Sequence, residues 1–579
     1  MARPLPQIAS FILALIAAHA GLAVAGPDAA REAPRLAAAR PAPADRPTSA
    51  PVLTDSSDTP DLSDSPARPV PADSLPLAAP VPADSLLDAP VPADSLLDAP
   101  VPEDSPDAWR GRIAARLQAL RERPRAAEAA SEPAEPQLAA LRRRLAAVVR
   151  RAGGARIGVH VRDLGSGRAL FDHHGDERYN PASNQKLVTA VAAVELLGPQ
   201  YRFATRVLRV DDALVLVGEG DPSLQLPDLH ALASAVVAAG AHRGARRVVV
   251  DDGAFSAERH GPGYTAQGEG VSYMAPSGAL SLAFNTAVAT IRPTTPGEPA
   301  SVDLAPPGAH LRLQGEVRTG RGRPLRVDSR DAGDQTVFEV DGAIAAGHAP
   351  VEVRRRIADP GLFTGHAFAE VLRQLADEED ALPVVRGAAP TDARAIAVHR
   401  SAPLVEVLAS SLKFSNNFTS EQVLRTLGWR MSGEPGSWAQ GRAAVLALWA
   451  ALGLDPADLK FENGAGLSRS GRVSPRALVA LLARTREEGS PAAALMPTLA
   501  SAGGEGTLRR RLAGSDGRVR GKTGTISGVS ALSGLAASAD GRTALGFSVL
   551  INGEGPARGH RRVQDRVVLA LLGHLDREP

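Results

Sequence analysis

A long N-terminal stretch of this chain has too little apolar surface to build a core. From Gly26 to about Pro136 the sequence is dominated by Ala, Pro, Asp, Ser and Arg. Pro80–Ala89 reads PVPADSLLDA, and Pro90–Ala99 repeats it without change, with degenerate copies beginning at Pro69 and Pro100. Proline fixes φ and removes a backbone donor, so a Pro-rich decapeptide stays extended and solvated. Residues 26–136 are therefore expected to form a semi-extended, disordered tether. Trp109 to Arg121 has the pattern of a short amphipathic helix within it. Any ordered fold must come from about Gln137 onward.

Residues 1–25 read as a secretory leader. Arg3 supplies the positive flank, Ile8–Ala25 the apolar run, and Ala23-Val24-Ala25 before Gly26 the small-x-small cleavage form. The run is short and is broken by Ser10, His19 and Gly21, too interrupted for a stable span. The chain is expected to be exported, cleaved and free of stable membrane insertion, with the periplasm its expected location.

Beyond the tether the apolar spacing changes character. Leu138, Leu141, Leu145 and Val148 recur at helical spacing, then Ile157–Val161 and Ala169–Asp172 read as strands joined by a Gly165-Ser166-Gly167 turn. A helix starts near Ser183 and stops at Gly198-Pro199. Residues 205–395 are rich in short strand-like runs between Gly and Pro turns, which predicts one or two inserted, mostly β domains. After Ile396 the helical period returns over 404–412, 420–427 and 443–452. Strand-like runs flank Lys522 and continue to Ile551, and a last amphipathic helix carries Val563, Val567, Val568, Leu571 and Leu572. The pattern predicts an α+β fold, an antiparallel sheet packed on helices, from residues 137–204 and 396–579.

Charge and cysteine exclude several functions. The net charge of +1 gives no electrostatic bias towards nucleic acid. With no cysteine there can be no disulfide framework, no cysteine zinc site and no lipoprotein anchor. Lysine is nearly absent: of 65 basic residues only Lys186, Lys413, Lys460 and Lys522 are lysines. Where an amine must lose a proton, arginine cannot replace it.

Two of these lysines sit in catalytic syntax. Ser183 opens a helix, where free N–H groups favour developing negative charge. Lys186 lies three residues on, one turn along the same face, so its amine can reach the Ser183 hydroxyl. A neutral amine there can act as base for the serine, given burial and a neighbouring cation to lower its pKa. The second is Lys522-Thr523-Gly524. On an edge strand Lys522 and Thr523 can bind a substrate carboxylate. Gly524 permits close backbone approach, and the N–H of Thr525 can share an oxyanion hole with that of Ser183. A third element, Ser415-Asn416-Asn417, places a hydroxyl and an amide two residues apart between helices. Lys413 beside it reads as structural or electrostatic, and Lys460 as solvated.

In this order the three elements resemble the penicillin-recognising serine acyltransferases. Ser183 and Ser415 are 232 residues apart (415 − 183), and so wide a gap resembles the D-alanyl-D-alanine carboxypeptidase/endopeptidase family, the class C low-molecular-mass penicillin-binding proteins. Asn180-Pro181-Ala182-Ser183-Asn184-Gln185-Lys186-Leu187, Gly218-Glu219-Gly220-Asp221-Pro222-Ser223-Leu224 and Gly464-Ala465-Gly466-Leu467-Ser468-Arg469 resemble it too. Asn416 and Ala465 depart from the usual Asp and Ser. The resemblance implies a transpeptidase/β-lactamase-like domain with a large insertion. It implies a serine DD-peptidase acting on peptidoglycan stem peptides, acylated by β-lactams, with no metal and no cofactor. It further implies that Ser183 forms the acyl-enzyme and Lys186 is the base. Ser415 would relay a proton, Asn417 would orient Lys186 or bind substrate, and Lys522 and Thr523 would hold the terminal carboxylate. A β-lactamase or esterase on the same fold, and a non-catalytic wall-binding scaffold, are the alternative readings.

Overall fold

Where apolar residues recur every third or fourth position the chain coils, and where they alternate it extends. The computed structural model describes residues 105–123, 136–151, 154–264 and 270–577. The expected leader and the decapeptide repeats lie outside the described residues. Helix α1 (Pro106–Glu122) starts with Pro106 behind the Ser105 cap, whose Oγ accepts from the Ala108 N–H. Its buried residues Trp109, Ile113, Leu117 and Leu120 share one face. The sequence reading placed this segment inside the tether. In the structure it joins the main core, with Trp109 edge-on to Tyr201 at 5.4 Å and Arg116 ion-paired to Glu195. Four large apolar side chains on one face supply burial that the surrounding Pro-rich sequence lacks.

Helix α2 (Pro136–Arg150) buries Leu138, Leu141, Leu145 and Val149. Strands β1 (Arg156–Asp163) and β2 (Ala169–His173) form a hairpin. Helix α3 (Gln185–Leu196) follows and is buried along its whole length.

The insertion then begins. Its inner sheet contains β3 (Ala204–Val210), β4 (Ala213–Gly218) and β5 (Arg247–Asp251), with helix α4 (Leu226–Ala238) between the last two. Next come β6 (Thr286–Arg292), β7 (Ser301–Ala305), β8 (Leu311–Gly315), β9 (Arg318–Thr319) and β10 (Arg326–Ala332). Then follow β11 (Gln335–Asp341), β12 (Ala343–Ile344) and β13 (Val351–Arg356). Helix α5 (Pro360–Ala376), β14 (Val384–Arg386) and β15 (Ala395–Arg400) close it. The inner sheet is mixed, in the order β14-β5-β4-β3-β15, and α4 and α5 pack together against it. Two three-stranded sheets, β13-β6-β7 and β10-β11-β8, lie beyond. One core containing Leu216, Val248, Leu282, Ile291, Phe338, Phe363 and Phe368 runs through all three sheets. Strands dominate as expected, but α4 and α5 were not anticipated. The entry and exit are neighbours: Ala204 pairs with Arg400, and the Ser401 N–H donates to the Phe203 carbonyl at 3.0 Å.

After the insertion come α6 (Leu404–Lys413), α7 (Asn417–Ser432) and α8 (Trp438–Ala451). The short pair β16 (Leu459–Lys460) and β17 (Arg472–Val473) leads to α9 (Pro475–Ala483). Strands β18 (Ala500–Ser501), β19 (Val519–Ile526), β20 (Val529–Ala537) and β21 (Ala544–Asn552) and helix α10 (Ala557–Leu575) complete the fold. The central antiparallel sheet runs β18-β19-β20-β21-β1-β2. Period-two alternation splits its side chains between two cores. Leu532 and Val549 face α2 and α10, with Leu145, Val567 and Leu571. Ala531 and Leu550 face α3 and α9, with Leu187, Val188 and Leu478. This is an α+β fold with helices on both faces of the sheet.

Helix α7 is where the insertion grips the catalytic half. Arg425 is fully buried and donates to the carbonyls of Ser256, Glu258 and Gly436 at 2.6–3.0 Å, between the rings of Phe255 and Trp438. Gln422 donates to the Gly278 carbonyl at 2.7 Å. The contacts tie buried backbone carbonyls to α7; those of Gly436 and Gly278 accept from the Ser256 N–H and Ser281 Oγ as well.

Candidate active site

Ser183 does not begin the α-helix itself. It sits in a 3₁₀ turn, Ala182–Asn184, that runs into α3 at Gln185. Ala182 before it has φ +45°, a left-handed value that a residue with Cβ adopts at a cost of roughly 1–2 kcal/mol. Asn180 holds that turn: its Oδ1 accepts from the Ala182 N–H at 2.8 Å, and its Nδ2 donates to the Ser468 and Arg469 carbonyls.

Lys186 projects from the first turn of α3 and is wholly buried. Its Nζ lies 2.9 Å from Ser183 Oγ, 2.8 Å from Asn417 Oδ1 and 2.8 Å from the Ala465 carbonyl. A neutral amine has two N–H bonds and one lone pair. The Asn417 and Ala465 oxygens can only accept, so they take both hydrogens. The lone pair is then left on the Ser183 hydroxyl, which donates to it. Burial lowers the Lys186 pKa from 10.5 to about 7, with the Glu421 carboxylate pulling the other way. Near neutral pH a large share of Lys186 is therefore unprotonated.

The two other motifs close the cleft. Ser415 lies between α6 and α7 with φ +66°. Its Oγ accepts from Lys522 Nζ at 2.9 Å, and the same amine donates to the Thr523 carbonyl at 2.8 Å. Burial, then the nearby Lys186, lowers the Lys522 pKa well below its ordinary value. Among the described residues no acidic side chain faces the amine to offset its burial, so a bound carboxylate would favour its charge. Asn184 tethers the strand: with its oxygen towards Ser533, its Nδ2 donates to the Lys522 carbonyl at 2.7 Å.

Backbone geometry brings the rest of Lys522-Thr523-Gly524 to the nucleophile. The Val519 carbonyl accepts from the Ala502 N–H, so odd residues of β19 turn their peptide groups towards β18. Pairing with β18 stops at Gly521, and beyond it that edge is open. The Thr525 N–H is on this open edge. A Cβ at Gly524 would sit 2.9 Å from the Ser183 nitrogen and 2.9 Å from the Pro181 carbonyl oxygen, so only glycine lets strand and turn touch. Thr523 Oγ1 donates to Thr507 Oγ1 at 2.8 Å, at the cleft wall.

The structure thus brings Ser183, Lys186 and Asn417 into one hydrogen-bonded set and Ser415, Lys522 and Thr523 into another. Lys413 pairs with Glu505 at 2.6 Å and holds the turn that carries Thr507. Lys460 reaches only Glu462, at 3.5 Å and largely exposed. Asn416 is the cap of α7, its Oδ1 accepting from the Thr419 N–H at 3.0 Å, a duty aspartate would perform as well. Sequence reasoning missed Asn184, Thr507, Glu421 and the function of the Ala465 carbonyl. A main-chain oxygen leaves no signature in the side-chain alphabet.

A serine and a buried lysine at the head of a helix, beside an antiparallel sheet flanked by helices, are the hallmark of the penicillin-recognising serine enzymes. The D-Ala-D-Ala carboxypeptidase 3 (S13) family pattern matches residues 139–571. A D-alanyl-D-alanine carboxypeptidase of Actinomadura sp. (strain R39) is 35% identical over 452 residues, 72% of this chain and 81% of the relative. The D-alanyl-D-alanine carboxypeptidase DacB of Haemophilus influenzae is 25% identical over 419 residues, covering 69% and 86%. The crystal structure of penicillin binding protein 4 from Haemophilus influenzae shares the fold, with TM-score 0.62 at 23% identity over 73% of this chain and 99% of that one. This chain belongs to the D-Ala-D-Ala carboxypeptidase 3 (S13) family, and it is a peptidase. No described helix is long and apolar enough to cross a membrane.

Proposed function

We propose that this protein hydrolyses the D-alanyl-D-alanine end, or a D-alanyl cross-link, of peptidoglycan stem peptides through an acyl-enzyme on Ser183. The observation that carries this reading is the set of three contacts at Lys186 Nζ, which aims a lone pair at Ser183 Oγ. In acylation Ser183 Oγ attacks the carbonyl carbon of the penultimate D-alanine, and its proton passes to Lys186 Nζ. The N–H groups of Ser183 and Thr525 stabilise the oxyanion. Ser415 gives its proton to the departing amine and regains one from Lys522, to which it is already bonded. Lys522 and the Thr523 hydroxyl hold the terminal carboxylate before it leaves. Water then attacks the acyl carbonyl: the acyl group leaves as the carboxylic acid, Ser183 Oγ recovers its proton from Lys186, and the proton released by the water replaces the one Lys522 gave.

A β-lactam presents a strained amide beside a carboxylate and enters by the same first step. One structure of the Haemophilus influenzae penicillin binding protein 4 is a complex with a novel β-lactam. The expected leader at residues 1–25 and a wall substrate support export to the periplasm. The test is labelling with a fluorescent penicillin, with the adduct mapped by peptide mass. Ser183→Ala should lose labelling completely while keeping its thermal midpoint; full labelling of that variant would remove the assignment. Incubation with a pentapeptide and with cross-linked muropeptides then separates the two hydrolytic reactions by product mass.

A further inference from the structure

Glu421 stands one turn beyond Asn417 on α7 and is 2% exposed. Four donors surround its carboxylate. Oε1 accepts from the Ala465 N–H at 2.9 Å and the Tyr264 hydroxyl at 3.2 Å. Oε2 accepts from the Gly464 N–H at 3.0 Å and Trp438 Nε1–H at 2.8 Å. Three of the four can only donate. A proton on Oε2 would face two N–H groups, so the pocket is built for the ionised form, although burial pushes the pKa up.

We propose that Glu421 is a positioning residue for acylation, anchoring the Gly464–Ala465 peptide so that the Ala465 carbonyl takes one Lys186 proton and the amine's lone pair falls on Ser183. This rests on the assignment of Ser183 and Lys186 above. The loop has little freedom to find that position otherwise, because it is wedged between two backbones. A Cβ at Gly464 would meet the Ser420 carbonyl oxygen at 2.4 Å, and one at Gly466 the Ala182 carbonyl oxygen at 1.9 Å. Thr189 Oγ1 ties the far side, donating to the Gly464 carbonyl at 2.9 Å. Glu421 thus joins the helix bearing Asn417, the loop bearing the Ala465 carbonyl and, through Tyr264, the insertion. The two parts that supply acceptors to Lys186, and the insertion, meet at one carboxylate.

The charge has a second consequence. The charged group acting on Lys186 is Glu421 from α7, which favours the ammonium; the amine facing it from β19, Lys522, is itself held towards its neutral form by burial and by Lys186. Replacing Glu421 by glutamine removes the pull towards the ammonium and leaves burial to depress the pKa. It also turns an amide N–H₂ on at least one obligate donor, which breaks the anchor. Acylation should then slow at every pH while the pH at which it switches on moves down. A purely structural role would slow it without moving that pH.

The experiment measures second-order acylation by a fluorescent penicillin from about pH 5.5 to about pH 9.5 for the wild type, Glu421→Gln and Tyr264→Phe. Glu421→Gln should lower the high-pH plateau about 10- to 100-fold and move the half-rise down by about one pH unit. Tyr264→Phe keeps the charge and should lower the plateau about three-fold or more with the half-rise unmoved. A Glu421→Gln plateau within about two-fold of wild type overturns the proposal, as does a fallen plateau with an unmoved half-rise. Should Glu421→Gln fail to fold, a wild-type plateau in Tyr264→Phe overturns it. Absence of wild-type labelling at Ser183 would instead fail the underlying site assignment.

Discussion

Asn417→Asp converts one acceptor of Lys186 into a charged acceptor of nearly the same shape. The present amide oxygen is 2.8 Å from Nζ, so a carboxylate oxygen would occupy the same place. An opposite charge that close raises an amine pKa by about 1–3 units. Starting from about 7, a rise of about two units cuts the neutral fraction at pH 7 from about one half to about 1%, roughly a 50-fold loss. The sign follows from the base role: a raised pKa keeps the amine protonated, and a protonated amine cannot accept from Ser183. The loss is therefore specific to pH. Acylation by a fluorescent penicillin should fall about 50-fold at pH 7 and recover most of it by about pH 10, where the amine is neutral again. The Tyr273 carbonyl, now accepting from Asn417 Nδ2 at 3.2 Å, loses a partner but lies beside an exposed ring that water can reach. A variant as fast as wild type at pH 7 would refute the reasoning. So would a loss that stays undiminished at high pH.

Other outcomes follow from the same geometry. Gly524→Ala should slow acylation at least about 10-fold and destabilise the fold by about 1–3 kcal/mol, because the new methyl meets the Ser183 nitrogen and the Pro181 oxygen at 2.9 Å; wild-type kinetics and melting would count against the contact. Binding of an acyl-D-alanine carboxylate should take up a proton in the pH range between the free and bound pKa of Lys522, since the anion raises that depressed pKa. Calorimetry in buffers of different ionisation enthalpy reads that proton, and buffer-independent heat would contradict it. Deleting residues 105–123 should lower the thermal midpoint by several degrees, since Trp109, Ile113, Leu117 and Leu120 leave a core where each large apolar side chain contributes about 1.5–3 kcal/mol at most; an unchanged midpoint would show that α1 adds nothing.

The side chains proposed to be catalytic were legible because chemistry restricts which residues can serve. Lys186 stood out among many arginines, and three residues of helix were enough to bring its amine to Ser183. The sheet around Lys522 was readable from the strand-length, nearly continuous runs of apolar and small residues on β20 and β21, which the fold buries on both faces. Helices α4 and α5 were not, because alanine and glycine blur the contrast on which periodicity depends; buried Ala233, Ala367 and Gly365 carry no more signal than loop residues. The docking of α1 was hidden differently. Its helical pattern was visible, but the partner face on α3, α7 and α8 exists only after the chain has folded. Glu421 was one acidic residue among many until its four donors gathered around it. The burial of Lys522 was not legible either, because it depends on what the fold packs around the amine.

The side-by-side entry and exit of the insertion bears on how this enzyme is assembled. Closing a loop of roughly 200 residues costs about 3.5 kcal/mol more than closing one of about four. Once β3 and β15 have paired, Phe203 and Ser401 are already adjacent, and the long detour becomes a short bridge. The helix that follows the nucleophile, α3, then reaches α7 with most of that cost removed. The insertion would serve as a folding jig: during synthesis the two halves of the cleft come into register only after the intervening body has formed. A chain caught before that stage would carry every catalytic side chain and no catalyst.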